Sequence, residues 1–560
     1  MFTAKKQKLF DVNKNKTSET NSFVEAGLKK SAETLSQNGA LKYSTTGNPF
    51  VDQFGLLGNY KTPRSFDEIT KDCEILWGLN PLLTVVFILY IRTISRVTTL
   101  LNGIVTSVPQ KGAELKHEGI MRMIWLHVKA PNTFWKNIGL FISVGSWKDI
   151  ITMLQYDLVY NGWDNRVLNW DKFGSLILSG LDNKNASELL KKYLPTIKSN
   201  NSCTTVESQA DNLIGKWICS LLYGNKGENS GYTYKKYRKL KVSGTAHEWQ
   251  QLISQRKFNK IDFNKIHGRA LNLLVKGKFL KNQNLQERYN EWISSTTKPL
   301  KYTGFVHELF EPLNKYTTLI RVPEELQKTI NAQFETLVKK GGEKKATNFI
   351  VVRDTSGSMD STAKGTKMSA GDIAKALALY FSEFLTGYFS NSWIEFNRDA
   401  KMHEWIGNNP LEKWFGDNSN YIGSTDFQSV IKLFCNIKRQ GISELEFPSG
   451  ILCISDGEFN PSSLKQTNVN TALMYLREAG FSEEYVSNFV IVLWNIQTTS
   501  ISYSGINNGN KFETFGNVPN VFYFSGYSPS VISFLTSQVK NAEELLLESL
   551  NQEILNMVEI

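Results

Sequence analysis

The 560-residue chain reads as a multidomain α plus α/β protein: a helical-repeat domain followed by a doubly wound, mostly parallel α/β domain. Three observations predict this. From roughly 65 to 335, apolar residues recur at spacings of three and four, as in Ile120, Met123, Ile124 and His127, and again in Leu271, Leu274 and Val275, the mark of amphipathic helices. Beyond residue 348 the pattern becomes short, continuous β-branched and aromatic runs alternating with helical periods, as in a parallel sheet covered on both faces. The charge changes sign at the same place: residues 1–340 hold 48 Lys and Arg against 29 Asp and Glu, and residues 341–560 hold 16 against 24.

Residues 1–60 form a mobile polar arm and lead-in segment. The start, MFTAKKQKLFDVNKNKTSET, is basic but has no apolar stretch of the kind a secretory signal needs. Residues 61–335 form the basic helical domain, a bundle or a solenoid of stacked helix pairs, and strand-like alternation is scarce there. No clean repeat is visible, so a solenoid would be a degenerate one. The longest apolar run, Leu82 to Ile91, is ten residues and is followed by Arg92, short of the ~20 needed to span a bilayer. It reads as a buried helix. In GSWKDI, 145–150, Trp147 is a packing anchor and Asp149 an early-turn charge that complements the helix dipole. His127, on an apolar face, is a satisfied core residue.

KKGGEKKATN, 339–348, combines a Gly pair with four lysines and places a linker at 336–347. In the α/β domain, 348–540, the strands are FIVV, WIEF, ILCIS, FVIVLW and VFYF, with SAGDIAKALALYFSEFL and DFQSVIKLFCNI as helices. Residues 541–560 form an acidic amphipathic helix able to pack on either domain.

Five cysteines, at 73, 203, 219, 435 and 453, include no CxxC pair and fit neither a disulfide framework nor a zinc knuckle, which implies a reduced, intracellular, cytoplasmic setting. The six histidines show no ligand spacing. There is no GxxxxGK[ST], no HExxH and no nucleophile elbow, and DTSGS lacks the second aspartate of a phosphotransferase loop. The expectation is a protein that is not an enzyme.

VVRDTSGSMD, 351–360, ends a strand in hydroxyls between two carboxylates. Open α/β sheets bind ligands at the carboxyl ends of their strands, and three loops fall there: Asp354 to Ser358, Gly423 to Asp426, and Ser455 to Gly457. Together they offer Asp354, Ser356, Ser358, Thr425 and Asp456, two carboxylates and three hydroxyls. Hard oxygen donors without His or Cys suit Mg²⁺ first, with Ca²⁺ and Mn²⁺ compatible, and disfavour zinc or copper. Asp426 and Glu458 lie alongside as outer groups or helix caps.

Residues 235–281 carry 13 Lys and Arg against Glu248 and Asp262. Within YTYKKYRKLK, 232–241, the candidates for nucleic-acid contact are Lys235, Lys236, Tyr237, Arg238, Lys239 and Lys241, since rings stack on bases while cations track phosphates. The alternative is an ordinary helix whose tyrosines pack inward and whose lysines are solvated.

The three loops resemble the metal-ion-dependent adhesion site of von Willebrand factor A domains. By that resemblance Ser356, Ser358 and Thr425 ligate the metal, Asp354 and Asp456 act largely through water, and one coordination position is left for an acidic group of a protein partner. A helical half followed by an A domain also resembles the Ro ribonucleoprotein, or TROVE-module, architecture, in which a ring of HEAT-like helices binds RNA. The nearest resemblance is to a Ro-like family of plants and large DNA viruses, on NGALKYSTTGNPFVDQF (38–54), GSWKDI, KYLPTIKS (192–199), YRKL (237–240) and SGYSPSVISFL (525–535). It implies RNA binding by the helical half, a partner recruited through Mg²⁺, no membrane contact, and virion association if the chain is virus-encoded. The competing reading is a scaffold or adaptor, viral assembly included, that uses the metal site without RNA.

Overall fold

The computed structural model describes residues 33–560 apart from 56–64, 110–114, 225–229, 244–247, 341–347, 497–518, 528–541 and gaps of at most three residues. Most of the arm expected over 1–60 therefore lies outside the described residues. The rest of it is ordered chain: an antiparallel hairpin of β1 (Glu33–Leu35) and β2 (Leu41–Tyr43), then the helix Pro49–Gly55. The helical half continues through Phe66–Leu79, Pro81–Ile94, Leu115–Lys129, Trp147–Asn161, Trp170–Asp182, Val206–Tyr223 and Ser230–Ser243, with shorter helices between. A second hairpin, β3 (Arg96–Leu101) with β4 (Ile104–Pro109), interrupts it. Asn102-Gly103 between two β-branched runs is a strong hairpin signal, and the all-helical reading of this region passed over it.

Helix Pro81–Ile94 is the centre of the helical half. Val85, Phe87, Ile88, Leu89 and Ile91 are fully buried, as the apolar run implied, and Arg92 is buried with them. Its guanidinium meets the Asp149 carboxylate through Nε at 2.9 Å and Nη2 at 2.8 Å. Asp149 also accepts from the Ser146 N–H at 3.0 Å, so it caps its own helix while neutralising a buried cation. This explains the GSWKDI motif. A Cβ at Gly145 would fall on the Asp149 carboxylate, and Trp147 packs against Gly180. The early-turn charge read from the sequence is thus half of a buried ion pair.

His127 packs edge-on against Phe134 and accepts from the Asn169 N–H at 3.5 Å. Burial pushes its imidazole down to about 4.

The α/β half is a six-stranded sheet in the order β10-β9-β8-β5-β6-β7. Its strands are β5 (Phe349–Asp354), β6 (Ser392–Phe396), β7 (Ala400–Glu404), β8 (Gly450–Ser455), β9 (Val490–Asn495) and β10 (Val521–Ser525). All neighbours are parallel except the edge pair β6–β7. Alternation along the strands makes two buried faces. Ile350, Val352, Ile451, Cys453, Ile491 and Leu493 face the helices Phe427–Arg439 and Asn468–Glu478. Phe349, Val351, Leu452, Ile454, Val492 and Trp494 face the helix Ala370–Ser382.

That second face is also covered from outside the sheet unit. Residues 261–337 share its core, with Phe310 stacked on Trp414 at 4.7 Å and the Tyr380 hydroxyl on the Leu337 carbonyl at 3.3 Å. Helix Glu324–Lys340 runs through residues 336–340, where the linker was expected. In the opposite direction, Ala542, Leu546, Leu550 and Leu555 of the closing segment pack into the core of the helical half. Asn137 holds Glu559 by both backbone groups, N–H at 3.0 Å and C=O at 2.5 Å. Among the described residues no helix is long and apolar enough to cross a membrane.

Arg92→Ala leaves the Asp149 carboxylate buried without its counter-charge and should destabilise the fold by about 3–5 kcal/mol. Lys129→Ala, which removes the half-exposed pair with Glu74, should cost at most about 1 kcal/mol. Denaturant titration separates the two. Because His127 is held neutral with a lowered pKa, its contribution is complete above 6.5, the ordinary value, and is lost as pH falls towards about 4. His127→Leu should flatten the fall of melting temperature across that window.

Candidate metal centre

Strand β5 lies between β8 and β6, and the chain leaves β5 in one direction and β8 in the other, so a crevice opens at their carboxyl ends. Asp354 closes β5, and Asp456 follows Ser455, the last residue of β8. The Ser455 hydroxyl donates to Asp354 Oδ2 at 2.5 Å and the Ser356 N–H to Oδ1 at 2.8 Å. Ser356 Oγ and Ser358 Oγ lie 3.1 Å apart. The second loop is stitched to the first by Ile422 N–H on the Thr355 carbonyl at 3.0 Å and Gly357 N–H on the Gly423 carbonyl at 3.3 Å. It is stitched to the third by Asn460 N–H on the Thr425 carbonyl at 2.9 Å. All three loops expected at the site therefore meet there.

Asp354, Ser356, Thr425 and Asp456 are buried, at most 2% exposed, and Ser358 is half-buried. Burial, and then the charge of Asp456, push the Asp354 carboxyl up to about 7, against hydrogen bonds from Ser455 and Ser356 that work to lower it. Two carboxylates in low dielectric repel one another and lack water, and a divalent cation between them reverses the repulsion. The residues present fit such an ion: hard oxygens only, converging from three loops. Among the described residues no three His, Cys, Asp or Glu side chains gather as a metal-ligating group; the donor set here is two carboxylates with hydroxyls.

Several supporting residues were not legible in the sequence. Arg353, one residue before Asp354, is fully buried beneath the site and donates to Asp417 Oδ2 at 2.6 Å and to the Ser419 hydroxyl. Its guanidinium lies 4.0 Å from the Trp393 ring centre. Burial works to raise the Asp417 carboxyl, but Arg353 and Lys375 outweigh it and hold it well below the usual carboxylate range. Tyr421 lies on Gly371 with no room for a Cβ between them. These contacts anchor the stretch that leads into Thr425. On the other side Thr355 Oγ1 donates to Glu395 Oε1 at 3.0 Å, and Glu395 Oε2 meets His403 Nε2 at 2.7 Å. Asp426 caps helix Phe427–Arg439 by accepting from Gln428 N–H at 3.0 Å. Glu458 donates its N–H to Asp456 Oδ1 at 3.2 Å. Arg353 is the one cation in strand β5, the only signal the sequence carries for this layer.

The basic segment divides in two. Tyr237 is fully buried, its hydroxyl on the Pro195 carbonyl at 3.0 Å, so it turns no ring face to a base. Arg238 donates to the Ile197 carbonyl at 3.3 Å and Lys241 to that of Leu194. Helix Ser230–Ser243 buries Tyr237 against residues 194–197, and the exposed Arg238 and half-buried Lys241 reach carbonyls at the edge of that contact. Lys235, Lys236 and Lys239 stay exposed on the other stripe beside Tyr232, and Lys236 Nζ lies 4.6 Å from the Tyr232 ring centre.

A family model described as a domain of unknown function (DUF7788) matches residues 348–557, the sheet unit together with the closing segment. No curated protein matches the chain.

Proposed function

We propose that the protein is a divalent-cation-dependent binding protein whose sheet unit is a von Willebrand factor A-type domain, and whose helical half binds RNA in the manner of Ro-like proteins. The observation that carries the first part is the pair of buried carboxylates, Asp354 and Asp456, at the ends of adjacent parallel strands with hydroxyls converging on them. The strand order, with an antiparallel edge at β7, supports the domain type. Mg²⁺ would be held by Ser356, Ser358 and Thr425, with Asp354 and Asp456 supplying charge through water. The half-buried Ser358 side is where an acidic side chain of a protein partner would complete the coordination. The ion's chemistry in this reading is to bridge two anions.

RNA contact rests on the exposed stripe of Tyr232, Lys235, Lys236 and Lys239 in a half carrying net +19. Phosphate contacts by these lysines release counterions, whereas the sheet half, at net −8, repels phosphate. The competing reading, a scaffold that uses the metal site without RNA, is separated from it by the second test below.

Asp354→Ala should abolish Mg²⁺ binding by calorimetry while the sheet stays folded by circular dichroism. Wild-type affinity in that variant would remove the assignment. If the exposed stripe contacts RNA, reversing Lys235, Lys236 and Lys239 to Glu in the full chain should weaken binding and lower the salt slope by about one for each phosphate that is no longer neutralised. Retention of RNA that is indifferent to salt, or its absence from the purified wild-type protein, favours the scaffold.

A further inference from the structure

We propose that the N-terminal hairpin is a latch on the metal centre: its tip, Asn38 to Ala40, fixes the loop 456–461 and through it positions Asp456 and Thr425. This rests on the reading of that site as a cation site. The Asn38 side-chain amide donates to the Glu458 carbonyl at 2.6 Å. Glu458 in turn donates its N–H to Asp456 Oδ1. Two residues on, Asn460 N–H holds the Thr425 carbonyl. One short loop thus carries one candidate ligand at its start, is gripped in its middle, and fastens the backbone of a second ligand near its end. The rest of the tip is seated as well: Gly39 packs against Pro461, where an added Cβ would lie 3.5 Å from the proline ring, and Ala40 is fully buried.

The other end of the same segment is rooted elsewhere. Beyond β2, Thr46 N–H donates to Asp52 at 2.6 Å and folds the chain into helix Pro49–Gly55. In that helix Phe50 packs edge-on against Phe87 at 6.0 Å, and the Gln53 side-chain oxygen accepts from the buried Arg122 at 2.8 Å, both inside the helical half. Its last residue, Gly55, accepts at its carbonyl from the Ser525 hydroxyl at 2.6 Å, on strand β10. The segment 38–55 therefore spans from the core of the helical half to a loop of the metal centre. It lies outside the residues matched by the domain family, which start at 348. A grip of this kind works in both directions, because a loop held for cation binding holds the hairpin in return.

Asn38 is a positioning residue, since it touches no candidate ligand directly. The test uses the full-length chain, Mn²⁺ as the probe, and amide hydrogen exchange on the metal-free protein as a second readout. Asn38→Ala should speed exchange at Glu458 and Asn460 while leaving the sheet strands protected. It should raise the Mn²⁺ dissociation constant about threefold to tenfold, the effect of removing one hydrogen bond that holds a ligand. Asn38→Asp, with no donor to offer the carbonyl, should weaken Mn²⁺ at least as much. If wild-type protein binds Mn²⁺ and Asn38→Ala binds it equally, the latch is overturned even where exchange rises. Unchanged exchange at both amides overturns it as well. If wild-type protein binds no Mn²⁺, the cation reading itself falls and the latch falls with it.

Discussion

Strands β5 and β8 run parallel and in register, Arg353 beside Ile454, so the carboxylate that closes β5, Asp354, and the one that directly follows β8, Asp456, come to the same buried edge. Everything around the crevice answers to that placement. Backbone and hydroxyl donors from Ser356 and Ser455 solvate Asp354 in place of water, yet its carboxyl still sits at about 7. A fold that only needed stability would put apolar residues there, because a buried anion without a cation is a cost of several kcal/mol. A cation removes that cost. The surrounding layer then has one task, which is to keep three loops in place around the pair.

That layer is itself made of buried charge. Arg353 and Lys375 share the Asp417 carboxylate in a buried ion cluster under the second loop, and Trp393 lies against the guanidinium on one side and the His403 ring, 4.7 Å away, as well. Such clusters contribute little net stability compared with apolar packing, but they fix geometry, since each partner is costly to leave alone. The helical half uses the same device at Arg92–Asp149 and at Arg122 with Glu118.

The two halves are not independent bodies joined by a tether. Residues 261–337 complete one face of the sheet, the closing segment 542–560 returns to the helical half, and Phe54 packs against both cores. The crevice at the sheet edge and the surface of the helical half are therefore mechanically connected. Cutting the chain near residue 340 would expose apolar surface on both products.

What the sequence by itself determined was local in origin. Five of the six strands of the sheet, two of the three helices that cover its faces and the three loops that meet at the crevice were legible because parallel-strand runs, helical periods and strand-end loops are short-range patterns, each written in consecutive residues. The buried helix at Leu82 to Ile91 was legible for the same reason. The edge strand β7, AKMHE, was not, since an exposed edge needs no apolar run. Nor could the sequence separate, within YTYKKYRKLK, the buried Tyr237 and the tethered Arg238 and Lys241 from the outward stripe of Lys235, Lys236 and Lys239, because the carbonyls that bind the first three belong to residues 194–197. The partners of Arg92, Arg353 and Asn38 lie 57, 64 and 420 residues away. Only the tertiary structure decided those, because a buried charge or an amide donor states that it needs a partner but carries no sign of where along the chain that partner is.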